Sequence, residues 1–143
     1  MISLIVGLAG LLETLTFYPA GVLMDRVSRR ANAIPSMAIL GTGIALVPLS
    51  GSALTLALAA VVIGFGNGLG SGLVMTLSGD VAPERGRTSF LAVMRSLADG
   101  GAASGPLVIS GVTAVAGLGV AAVVAACFGF GASAAFARWV PRE

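Results

Sequence analysis

Charge is missing from two long stretches of this chain, and that absence limits the folds open to it more than any other feature. No Asp, Glu, Lys or Arg occurs between Arg30 and Asp80, nor between Asp99 and Arg138. Each gap is longer than the roughly 20 apolar residues that carry an α-helix across a bilayer's hydrocarbon core. A helix on the surface of a soluble domain would show a polar face at helical spacing, whereas these runs are apolar or small all round. Composition agrees. Of 143 residues, 57% are hydrophobic and 10% charged, against about 25% charged in a typical globular domain. Mean hydropathy is +1.02. The chain reads as an all-α, polytopic integral membrane protein.

Five spans are expected, at approximately 2–24, 31–48, 53–78, 88–111 and 116–137, forming a single membrane domain over residues 1–143. The first ends at a charged cluster, the second at the turn signal Pro48-Leu49-Ser50-Gly51-Ser52, and the third at DVAPERGR (80–87). Scattered glycine leaves the turn between the fourth and fifth spans the least defined. No basic residue precedes Arg26, so the first run lacks the positive region of a secretory signal.

Arginine orients the spans. Arg26, Arg29 and Arg30 follow the first, Arg85 and Arg87 the third, and Arg138 and Arg142 the fifth, while the links around 48–52 and 111–116 carry no charge. The positive-inside rule places the arginine side in the cytoplasm, with the N-terminus outside and the C-terminus inside a plasma (cell inner) membrane. An outside N-terminus opening directly into a hydrophobic helix leads us to expect further helices upstream.

Chemistry-bearing constellations are few. The chain has no histidine and one cysteine, Cys127, so a zinc site of the usual kind and a histidine-based triad are excluded. The run Gly64-Phe65-Gly66-Asn67-Gly68-Leu69-Gly70 contains neither Gly-x-Gly-x-x-Gly nor a phosphate-loop lysine. Neither an enzyme, a metal, a cofactor nor a nucleic-acid partner is expected. Gly64, Gly68 and Gly72 repeat at four, as do Gly66 and Gly70, which suits close helix packing on two faces.

Glu13 lies about 18 Å along a helix from Asp25, near mid-membrane. A carboxylate there costs about 2.5–3.5 kcal/mol on insertion scales and tends to mark an ion or substrate pathway; the alternative is a neutral acid bonded to a neighbouring helix. Arg95 and Asp99, four apart on the fourth span, can neutralise each other, structurally or within a coupling network. Asn67, Ser71 and Thr76 are polar enough to face a cavity. Gly21 and Asp25 share a helix face; the glycine admits a close neighbour, and the carboxylate can meet that neighbour's positive N-terminal end, worth up to about 2 kcal/mol.

The run Gly21-Val22-Leu23-Met24-Asp25-Arg26-Val27-Ser28-Arg29-Arg30 resembles the cytoplasmic loop signature of the major facilitator superfamily, Gly-x-Leu-Ala-Asp-Arg-x-Gly-Arg-Arg. Met24 replaces a small residue and Ser28 a glycine. DVAPERGR looks like the link entering the family's fifth or eleventh helix, and GGAASGP (100–106), with Gly105 and Pro106, like the packing pattern of that next helix. The resemblance implies a transporter moving a small solute by alternating access, with Gly21, Asp25, Arg26, Arg29 and Arg30 as a gating loop. Gly64 stands where the N-terminal half of the family usually carries an arginine, which points to helices eight to twelve of the C-terminal half; the fuller form of GGAASGP, a mark of the fifth helix, points the other way. Five helices are fewer than one half, so a missing N-terminal half or self-association is expected among the partners, beside lipid and solute. Proton coupling would rest on Glu13. The competing expectation is a small five-span membrane protein with a structural or interaction role, its arginine face binding anionic lipid or a cytoplasmic partner.

Overall fold

The computed structural model describes residues 2–26 and 28–140, with the side chains of 2, 5, 6 and 23–26 outside that description. Five helices follow one another: α1 (Ile2–Arg26), α2 (Arg29–Leu46, tightening into a 3-10 turn at Val47–Leu49), α3 (Ala53–Gly70), α4 (Leu73–Val81) and α5 (Arg87–Trp139). No strand occurs among the described residues. Three stretches among them are long and apolar enough to cross a membrane: Arg29–Leu49, Ala53–Val81 and Arg87–Trp139.

Local chemistry sets the helix ends. Ser28 takes an extended conformation before α2, and its hydroxyl accepts from the Ala31 amide at 3.1 Å. The serine that replaces the expected glycine is therefore the N-cap of the next helix, satisfying one of its orphan donors. Ser52 and Thr55 form a reciprocal capping box at the start of α3. Pro48 sits in the 3-10 turn that ends α2.

The third apolar run is not one helix. It breaks at Ser71-Gly72, where Gly72 has a φ of 75°, and resumes as α4. That left-handed conformation is open to glycine and costly for residues with a Cβ. The uncharged turn expected at 111–116 is also displaced. Helix continues through it, with Thr113 bonding back to the Ile109 carbonyl at 2.7 Å. The break falls at Gly117 instead, with φ 85° and ψ 165°, a region essentially reserved for glycine. A straight helix of 53 residues would be about 80 Å long, far beyond a hydrocarbon core of about 30 Å. Gly117 divides it into a first limb, 87–116, and a second, 118–139.

Packing runs α1–α3–α2–second limb, with α3 and α2 in the middle. A Cβ on Gly64 would stand 2.7 Å from the Ala9 carbonyl oxygen of α1, and one on Gly66 2.6 Å from the Leu40 nitrogen of α2. On the far side of α2, a Cβ on Gly129 would come 2.9 Å from the Gly41 Cα. The buried apolar residues are Ala20, Ala33, Ala59, Leu73, Ala121, Ala122 and Ala126, nearly all small, while most large apolar side chains point outward. This inversion of a soluble core is what lipid solvent favours: tails solvate Leu and Phe, and small residues let backbones approach closely. Every buried residue of α5 lies on its second limb; the first limb is exposed along almost its whole length.

Candidate functional site

Close α1–α3 packing brings Glu13 and Asn67 together. A Cβ on Gly68 would lie 2.8 Å from both the Glu13 carbonyl oxygen and the Thr16 Cβ, so only a residue without a side chain permits this approach. The neighbouring Asn67 then reaches across, its Nδ2 donating to Glu13 Oε1 at 2.7 Å. Glu13 is partly buried and Asn67 exposed. Among the described residues Oε1 alone of the carboxylate is engaged. Two residues chosen separately from the sequence thus form one interhelical link.

Asn32, not singled out from the sequence, completes the break in the third run. Where a helix stops, carbonyls of its last turn lose their partners. Asn32 is fully buried on α2, and its Nδ2 donates to the Leu69 carbonyl at 2.6 Å, while its Oδ1 has no partner among the described residues. In lipid a freed carbonyl needs such a replacement donor. An asparagine two residues after the arginines, facing a Gly-Ser-Gly break, was the available signal.

At the arginine end, the start of α2 meets the ends of α4 and α5. Arg29 forms an ion pair with Asp80, a residue that sequence reasoning passed over within DVAPERGR. Arg30 donates to the Val140 carbonyl at 2.9 Å and to the Ala137 carbonyl, capping the negative end of α5. Arg87 donates to the Gly79 carbonyl at 3.1 Å. The side chains of Asp25 and Arg26 lie outside the described residues. Gly21 has open space where a Cβ would stand, so the close helix approach expected there is not made among the described residues.

The other candidates stand apart from Glu13 and Asn67. Arg95 Nε donates to both carboxylate oxygens of Asp99 at 3.1 Å, with the two side chains 65% and 63% exposed on the first limb. Thr76 bonds its own helix at the Gly72 carbonyl, 2.9 Å away. Gly72, grouped by spacing with the packing glycines, is a turn residue with open space around it. Gly105 is likewise open, and Pro106 lies within the first limb. No cluster of three or more metal-ligating side chains forms among the described residues.

Long apolar helices, small-residue contacts and an arginine-bearing end define an integral membrane protein of the polytopic helical class. The model of the Major Facilitator Superfamily matches residues 1–143. The chain belongs to that family, and is a transporter of the major facilitator type in the general sense. No curated protein and no solved structure gives a match.

Proposed function

We propose that this chain supplies helices eight to twelve of a major facilitator transporter that moves a small solute by alternating access, with proton binding at Glu13 coupled to movement between α1 and α3. The spans in this reading are α1, α2, α3 with α4, and the two limbs of α5. The arginine end faces the cytoplasm of a cell inner membrane.

The Glu13–Asn67 hydrogen bond carries the proposal. An ionised carboxylate only accepts, so Asn67 must offer its N–H; a carboxyl protonated at Oε2 still accepts at Oε1 but gains an O–H donor and loses its charge. Proton binding would therefore turn a charge-assisted bond into a weaker neutral one, between two helices that touch through Gly64 and Gly68. Solute and coupling-ion sites near the midplane, at the interface of helical repeats, suit such a switch.

The exposed first limb supports the need for further helices. Arg95 and Asp99 begin about 12 Å inside the limb from Arg87, too deep for charge to face lipid at low cost. The remaining helices of the transporter, or a second copy, would cover them. The test is solute-driven proton movement in proteoliposomes under a pH gradient, screened with sugars, amino acids and lipophilic cations. The chain with its complete set of helices is expected to give flux, the chain alone none, and Glu13→Gln to abolish it. Flux that survives Glu13→Gln defeats the proton role.

A further inference from the structure

A cavity of about 520 Å³ opens at the arginine end, between the start of α2, α4, the first limb and the end of α5. Its volume is that of a small-molecule site. One side is polar: Ser28, Arg29 and Arg30 at the start of α2, facing Asp80. Apart from Ser78, whose hydroxyl donates to the Val74 carbonyl of its own helix at 2.6 Å, the rest is apolar: Val74, Leu77 and Val81 of α4, Met94 of the first limb, and Phe136 with Trp139 of the second.

Among the described residues Asp80 answers Arg29 and Arg30 meets main-chain carbonyls, so the described lining carries two arginines against one aspartate. The first-turn amides of α2 add their partial positive charge to the same wall. Ser28 uses its hydroxyl oxygen as an acceptor for the Ala31 amide, which leaves its O–H free to donate. Guanidinium, hydroxyl and helix N-terminus together form a receptor for a phosphate group. A water-soluble phosphate would make no use of the apolar walls. A phosphate with hydrocarbon attached would, and Trp139, 75% exposed, marks the headgroup depth at which such a molecule sits.

We propose that this cavity binds an anionic phospholipid, its phosphate against Arg30, Ser28 and the N-terminus of α2 and its upper acyl carbons between α4 and the first limb. α4 and α5 touch only lightly, which leaves the chains a way out to the bilayer. The lipid would tie the detached first limb to the bundle through Met94, and basic pockets between membrane helices are suited to such headgroups. The site shares no residue with Glu13 or Asn67, so it stands or falls independently of proton coupling.

Native mass spectrometry of the full chain, released from detergent with equal amounts of phosphatidylglycerol and phosphatidylcholine of identical acyl chains, tests it. Retention of phosphatidylglycerol is expected to exceed that of phosphatidylcholine by about fivefold, the worth of one arginine near a membrane surface. Arg30→Gln should remove the preference. Leu77→Trp, which fills the cavity and keeps both arginines, should lower retention of either lipid and decides the matter if Arg30→Gln fails to fold. Equal retention of the two lipids by the unaltered chain, or unchanged retention by Leu77→Trp, overturns the proposal. Displacement of phosphatidylglycerol by millimolar inorganic phosphate overturns it too, in favour of a soluble anion.

Discussion

The bundle and the first limb of α5 are built from the same residues and behave differently. In the bundle, a Cβ added to Gly43, Gly64, Gly66, Gly68 or Gly129 would come within 3.0 Å of a neighbouring helix. In the first limb, Gly100, Gly101, Gly105 and Gly111 have nothing within 4 Å. Small residues therefore permit contact without creating it. A glycine becomes a packing residue only when an opposing backbone arrives, and among the described residues none arrives at these four.

Substitutions that put this contrast at risk can be ranked by expected effect. Gly66→Leu should cost about 3 kcal/mol, since its Cβ alone would meet the Leu40 nitrogen and overpacking of this kind strains both backbones. Detergent-to-SDS unfolding followed by circular dichroism measures it. Asn32→Ala should cost about 1–2 kcal/mol in the same assay by stranding the Leu69 carbonyl. A negligible loss would mean that the broken helix finds another donor. Asn67→Leu removes one interhelical hydrogen bond and should cost about 0.6 kcal/mol, the usual worth of such a bond in lipid. Gly101→Ala should change stability by about 0.5 kcal/mol or less, in the stabilising direction, because the site is open and alanine restricts the unfolded chain. If Gly101→Ala instead matched Gly66→Leu, the first limb would be packed as tightly as the bundle and the comparison would fail.

The two regions also differ in how they can be read from sequence. Alternating four-residue glycine repeats announced two packing faces on α3, and the structure places Gly64 and Gly68 against α1, Gly66 and Gly70 against α2. The same spacing mislabelled Gly72, because a repeat does not reveal which glycine will adopt a positive φ. Glycines at 100, 101, 105, 111, 117 and 119 likewise left the break in α5 unmarked, and only Gly117 took the non-helical conformation. Loop residues were harder still. Ser28 looked like a flaw in a glycine-containing signature and proves to be a helix cap. Asp80 was read only as part of the DVAPERGR link, and its partner Arg29 comes from another helix.

Sequence alone determined that this chain is helical, membrane-embedded and arginine-rich at one end of its spans. Those properties follow from hydropathy and charge summed along the chain, and a bilayer imposes them one segment at a time. Tertiary structure decided which residues meet: Glu13 with Asn67, Asn32 with the Leu69 carbonyl, and Arg30 with the end of α5. The partners stand 37 to 110 residues apart. Local preference cannot choose among so many distant acceptors. Helix-to-helix packing does, because lipid leaves buried polar groups no water to fall back on.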